Sequence, residues 1–124
     1  MSGERSKNLK VIISGGGTGG HLFPAIAIAN ALRRLEPTVQ ILFVGAEGKM
    51  EMKKVPEAGY EIVGLPVAGL VRGGSIRNIH VAFKLFRSMV KAGRIIRQFD
   101  PDVVVGVGGY ASGPVLKQAQ QRLI

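Results

Sequence analysis

Ser14-Gly15-Gly16-Gly17-Thr18-Gly19-Gly20-His21 joins an apolar run, Leu9 to Ile13, to an apolar periodic run, Leu22 to Leu35. Five glycines and one threonine between an expected strand and an expected helix leave no side chains to hold a ligand away from the backbone amides. A phosphate or another oxyanion is the natural guest of such a turn.

Working outward, Leu9 to Ser14 is a short β-branched run bounded by glycine and reads as a buried strand. The helix expected over Leu22 to Leu35 has Pro24 in its first turn, where the missing N–H costs nothing. Its residues Ile26, Ala29, Leu32 and Leu35 share one face. Arg33 and Arg34 suit the negative pole of its dipole, and Glu36-Pro37-Thr38 breaks it. Val39 to Val44 is a second strand closed by Gly45, Glu47 to Ala58 a short helix or turn stopped by Gly59, and Tyr60 to Leu65 a third strand. Pro66 to Ser75 reads as a loop, and Ile76 to Phe99 is the longest helix, ended by Phe99-Asp100-Pro101. Asp102 to Val107 is a fourth buried strand. A second glycine-rich turn, Gly108-Gly109-Tyr110-Ala111-Ser112-Gly113-Pro114, then opens a last helix to about Ile124.

Strictly alternating strands and helices define an α/β, Rossmann-like, doubly wound parallel sheet. Right-handed crossovers give the order 3-2-1-4, with the winding reversing between strands one and four. Both glycine-rich turns then face the crevice where open sheets bind ligands. Met1 to Asn8 reads as a flexible terminus, and residues 9 to 124 as one partial domain.

Composition narrows the chemistry. The 124 residues contain no cysteine, which removes disulfides, thiolate metal sites and a cysteine nucleophile. No apolar run approaches the roughly 18 residues of a membrane span. The net charge is +9, and Ile62 to Phe99 holds no carboxylate while carrying Arg72, Arg77, Lys84, Arg87, Lys91, Arg94 and Arg97. Such a field attracts anionic surfaces.

Gly15, Gly17 and Gly20 satisfy G-x-G-x-x-G, but strand two ends Phe43-Val44-Gly45 without the acid that holds a ribose hydroxyl. A nicotinamide or flavin cofactor is therefore disfavoured. No Gly-Lys-Ser or Gly-Lys-Thr follows the glycines, which disfavours a P-loop; a merely tight strand-to-helix turn stays open. His21 lies where the first helix begins. The positive end of the dipole there favours a neutral imidazole able to accept a proton, although a plain helix cap stays open too. In the second turn Ser112 can cap the last helix, while Gly108 and Gly109 allow close approach. Tyr110 can stack on a ligand or pack on the sheet edge.

On the long helix Arg77, His80, Lys84, Arg87, Lys91 and Arg94 form a polar stripe. Ile76, Ile79, Phe83, Phe86 and Val90 line one apolar row, and Val81, Leu85 and Met89 another. This apolar arc is wider than a sheet-covering helix needs, as expected of a helix that also meets a membrane surface, with a solvated basic face over a broad core face as the alternative. His80 reads as part of that face. Nothing resembles a recognition helix or a stacking platform for nucleic acid.

Gly16-Gly17-Thr18-Gly19-Gly20-His21-Leu22-Phe23-Pro24, Pro101-Asp102-Val103-Val104 and Gly106-Val107-Gly108-Gly109-Tyr110-Ala111-Ser112-Gly113-Pro114 closely resemble the N-terminal domain of the MurG family. These are the UDP-N-acetylglucosamine transferases that complete lipid II in bacterial cell-wall synthesis. The resemblance implies a GT-B enzyme of two Rossmann-like domains, inversion at the sugar carbon and no metal or cofactor, with UDP-N-acetylglucosamine as a substrate. It implies that Gly17, Thr18, Gly19 and Gly20 contact the nucleotide sugar, that His21 activates the acceptor hydroxyl, and that Gly108, Gly109, Tyr110 and Ser112 help hold the diphosphate of lipid I. It also implies a peripheral site on the cytoplasmic face of the inner membrane, here Arg72, Ile76, Arg77, Ile79, Phe83, Lys84, Phe86 and Arg87.

Members of the family are several times longer. The resemblance therefore places a polar Glu-Gln-Asn segment, further strands and the domain holding most of the uridine nucleotide outside these residues. Turnover by this chain alone is not expected. Strand four, Val103 to Val107, is expected to be an unpaired apolar edge open to self-association, strand exchange or a partner chain. A second function class, a non-catalytic membrane-docking module whose partner chain supplies the donor site, fits the same residues.

Overall fold

A computed structural model of the chain describes residues 8–15, 19–66, 75–109, 111–122 and 124, with the backbone alone at 75–78 and 81. Four strands, β1 (Lys10–Ser14), β2 (Gln40–Ala46), β3 (Glu61–Leu65) and β4 (Val103–Gly106), alternate with four helices, α1 (Gly19–Leu35), α2 (Glu51–Glu57), α3 (Ser75–Phe99) and α4 (Ser112–Gln121). The strands form one parallel sheet in the order β3-β2-β1-β4, as the sequence predicts.

Side-chain alternation along β1 explains why both faces are covered. Val11 and Ile13 point into a core with Leu22, Ala25 and Ala29 of α1, Phe43 of β2, and Val55 and Tyr60 around α2. Ile12 points the other way, into a core with Val44, Leu65, Ala92, Ile95 and Ile96 of α3, and Ala111, Val115 and Ala119 around α4. A parallel strand buried on both faces needs such a continuous apolar run. With α1 and α2 on one face and α3 and α4 on the other, the winding reverses between β1 and β4. Ser14 of β1 and Gly106 of β4 are register partners there.

The structure corrects several expectations. Helix α1 starts at Gly19, before the expected Leu22, so Pro24 lies beyond the first turn. The low helix propensity of two glycines conceals this start. Lacking an amide hydrogen, Pro24 cannot bond the carbonyl of Gly20. Strand β2 runs through Gly45 to Ala46 instead of closing at Val44. Gly45 is paired with Gly64 of β3, and a β-carbon on it would lie 2.5 Å from Cγ of Glu51, so its role is to admit α2 rather than to end the strand. Strand β4 is not buried: it is a sheet edge, with Val103 exposed and Val104 and Val105 half-buried. Helix α4 ends at Gln121.

Candidate functional site

The site is built where β1 and β4 end side by side. Ser14, the last residue of β1, is buried, and its hydroxyl donates to the carbonyl of Val44 at 3.1 Å, tying β1 to β2. The carbonyl of Ser14 faces the other way and accepts the N–H of Val107 at 2.9 Å. Immediately beyond, the backbones of the two turns touch: a β-carbon on Gly15 would collide with the Val107 side chain and lie 2.7 Å from the Gly108 carbonyl oxygen. Only glycine permits that approach.

Gly108 and Gly109 both hold positive φ, +107° and +95°, which turns the chain sharply from β4 towards α4. The same geometry seats His21. A β-carbon on Gly108 would lie 2.8 Å from Cδ2 and 2.9 Å from Nε2 of His21, so the imidazole rests directly on the bare α-carbon. His21 is half-buried in the first turn of α1. A residue of the first turn thus lies against a residue of the second, as the switch-point topology requires.

Of the other residues singled out in the turns, Gly19 and Gly20 form the amino end of α1, Gly19 half-buried and Gly20 exposed, while Gly109 is exposed. Gly17, Thr18 and Tyr110 lie outside the described residues. Ser112 departs from expectation. The N-cap of α4 is Ala111, with no side-chain capping bond, and Ser112 is inside the first turn at 5% exposure. Its oxygen accepts the Gly108 N–H at 3.1 Å and lies 2.9 Å from the carbonyl oxygens of both Ser14 and Gly108. The hydroxyl faces backbone, so Ser112 joins the turns where the sequence suggested a helix cap.

Two features were not legible in advance. Nothing local in the sequence marks a strand-terminal serine such as Ser14 as a tie to the next strand. Glu51, 1% exposed, accepts the Ala46 N–H at 2.9 Å and pins the end of β2. Its carboxylate faces that turn, while Glu47, the acid that directly follows β2, reaches Lys91 instead. Among the described residues no three His, Asp or Glu come together as a metal site.

The second surface lies on α3. Ile79 (70% exposed), Phe83 (63%) and Phe86 (66%) stand out in solvent with Leu85 and Val90, and Lys84 and Arg87 are exposed beside them. Every described side chain from 79 to 87 is exposed; burial begins at Ser88 and continues at Ala92, Gly93, Ile95 and Ile96. Among the described residues the sheet therefore packs on the carboxyl half of this helix, and Ile79, Phe83, Leu85 and Phe86 of its amino half do not cover the core. The side chains of Ile76 and Arg77, and all of Arg72, lie outside the described residues. Beneath this face a hollow of about 300 Å³ is lined by Pro66, Phe86, Arg87, Val90, Lys91 and Arg94. Lys91 also meets Glu47 at 3.6 Å, linking α3 to the turn after β2. Among the described residues no helix is long and apolar enough to cross a membrane.

An open, doubly wound sheet with two glycine-rich turns meeting at its switch point defines a Rossmann-like α/β domain. Residues 11–124 match the glycosyltransferase family 28 N-terminal domain, and the chain belongs to that family. It is 67% identical over 111 residues to a Bacteroides fragilis protein named UDP-N-acetylglucosamine–N-acetylmuramyl-(pentapeptide) pyrophosphoryl-undecaprenol N-acetylglucosamine transferase, covering 90% of this chain and 29% of that one. Among solved structures it resembles MurG of Acinetobacter baumannii, with a TM-score of 0.78 and 29% identity over 94% of this chain and 33% of that one. A UGT transferase of Siraitia grosvenorii in complex with UDP shares the fold, with a TM-score of 0.60 at 12% identity over 94% of this chain and 26% of its own. The resemblance to the MurG family is thus borne out, and the chain spans about a third of the length of these relatives.

Proposed function

We propose that this chain is the acceptor-side domain of an inverting transferase that moves N-acetylglucosamine from UDP-N-acetylglucosamine to lipid I, forming lipid II for peptidoglycan. The observation that carries this reading is the seat of the His21 imidazole on Gly108, which puts a proton acceptor at the junction of the two turns. In the reaction His21 takes the proton of the acceptor hydroxyl. The hydroxyl oxygen then bonds to the sugar carbon from the side opposite UDP, and the carbon–oxygen bond to UDP breaks with its electron pair leaving on UDP. The amino ends of α1 and α4 offer backbone N–H groups and positive dipole ends to the diphosphates of donor and acceptor. Gly17, Thr18, Gly19 and Gly20 serve the donor, and Gly108, Gly109 and Tyr110 the acceptor. UDP-N-acetylglucosamine is a substrate in this scheme, and no metal or cofactor takes part. The rest of the donor site belongs to the remainder of a longer protein, and this chain alone gives no turnover.

The test is His21→Ala in the full-length enzyme. Its rate falls by about 10²–10⁴-fold while UDP-N-acetylglucosamine affinity is unchanged. A rate kept within a fewfold removes His21 from the mechanism.

The amino half of α3 supports a peripheral membrane site on the cytoplasmic face of the inner membrane. Exposed Ile79, Phe83 and Phe86 enter the interface, and Lys84 and Arg87, with Arg72 and Arg77, meet anionic headgroups. This surface also favours a second reading, a docking module whose partner chain supplies the donor site. Vesicle binding combined with an inactive His21→Ala full-length enzyme favours the first reading. Vesicle binding without nucleotide-sugar binding favours the second.

A further inference from the structure

We infer that Ser112 is a positioning residue whose buried hydroxyl fixes Gly108 and, through Gly108, the surface on which the His21 imidazole lies. The catalytic consequence rests on the role proposed above for His21; the positioning itself does not.

A serine hydroxyl has one proton and two lone pairs. At Ser112 one lone pair receives the Gly108 N–H, and the proton has two carbonyl oxygens within 2.9 Å, those of Gly108 and Ser14. The Gly108 carbonyl is four residues back, the usual partner of a serine inside a helix. That bond alone would be unremarked helix chemistry. The other two partners change its meaning. Ser14 is 98 residues away in the chain and ends the central strand. The Gly108 N–H is the amide entering the turn at a residue with φ +107°. One oxygen thus reaches both polar groups of Gly108 and the end of β1.

Ser14 keeps a second bond from the Val107 N–H, so whichever carbonyl the hydroxyl proton takes, the two turns stay joined. Ser112 as a residue is 5% exposed, so its hydroxyl works largely out of solvent. Gly108 has no side chain to anchor it, and the His21 ring lies too close to leave room for a β-carbon there. A shift of the Gly108 peptide therefore moves the seat of the ring. Removing the hydroxyl leaves the Gly108 N–H without this acceptor and releases that peptide.

The chain offers a matched control. Ser88 is buried too, on α3, and its hydroxyl has no hydrogen-bond partner among the described residues. Ser112→Ala and Ser88→Ala thus delete the same atom from two buried serines, one in the junction and one outside it. The protein has two histidines, His21 and His80, so their ring proton and carbon NMR signals are easily told apart. In the folded 124-residue chain Ser112→Ala is expected to shift the His21 ring signals while leaving those of His80 in place. Ser88→Ala is expected to move neither. An unchanged His21 ring in folded Ser112→Ala, or equal movement of both rings, overturns the proposal. Should Ser112→Ala not fold, Ser112→Thr keeps the hydroxyl, and it is expected to fold with the His21 ring at its native shift; a displaced ring there also overturns it.

In the full-length enzyme Ser112→Ala is expected to lower kcat by about 10²-fold with KM for UDP-N-acetylglucosamine within a fewfold. A displaced His21 ring with an unaffected kcat overturns the catalytic part of the inference. If His21→Ala itself keeps its rate, the proposed function fails, and the NMR result still decides the positioning.

Discussion

The two glycine-rich turns and the amino half of α3 are both conspicuous in the sequence, and the structure treats them in opposite ways. At the turns, Ser14, Val107, Gly108 and Ser112 exchange hydrogen bonds of 2.9–3.1 Å, and His21 and Gly15 are packed against the same short segment. On α3, nothing described between 79 and 87 is buried. One region is a constellation in which each group is held by another chain segment. The other is a row of side chains that stand exposed on one helix. Chemistry that needs fixed geometry fits the first, and adhesion to a deformable surface fits the second.

Substitutions should separate these regions by stability. The largest effect is expected at Gly15→Val, which forces a branched side chain against the Gly108 carbonyl and the Val107 side chain. Overpacking and backbone displacement there should cost about 3 kcal/mol in urea unfolding. A cost below about 1 kcal/mol would mean that the turns are not interlocked. Next comes Glu51→Ala, which leaves the buried Ala46 N–H without its carboxylate acceptor and should cost about 1–3 kcal/mol.

Phe83→Asp and Phe86→Asp should sit near zero in the same measurement, within about 0.5 kcal/mol, because neither ring contributes to the core. Their effect is expected in co-sedimentation with vesicles containing anionic lipid, where the double substitution should abolish most binding. Full vesicle binding by that variant would remove α3 from the membrane proposal. A loss of folding would show that the amino half of α3 carries structure after all.

How far the sequence could be read follows from the range of each interaction. The sheet order was legible because glycine, proline and β-branched runs punctuate the chain locally, and right-handed crossovers leave few topologies. His21 was legible because a histidine directly after a glycine-rich turn is a local pattern. The start of α1 was not, since Gly19 and Gly20 have the poorest helix propensity short of proline. The role of Ser112 was not either, since its decisive partner, Ser14, is reached only after the sheet has assembled. The role of Glu51 is hidden for the same reason. Its carboxylate meets a nearby amide, but only because Gly45 lets α2 approach the sheet.

A similarly small effect on stability is expected at the sheet edge, where β4 pairs with β1 alone among the described residues and leaves Val103 exposed. An edge strand with an apolar side chain in water is a template for another strand, and a lysine there opposes such pairing. Val103→Lys should therefore change unfolding free energy by no more than about 0.5 kcal/mol. Light scattering over a concentration series should nonetheless respond: the native chain should associate as concentration rises, and the variant should stay monomeric. If both are monomeric throughout, the edge is too short, at four residues, to recruit a second copy. If both associate equally, the contact lies elsewhere, and the exposed row on α3 is the first place to look. Repeating the series with Phe83→Asp and Phe86→Asp then decides between the two surfaces, since the edge and the helix can be silenced independently.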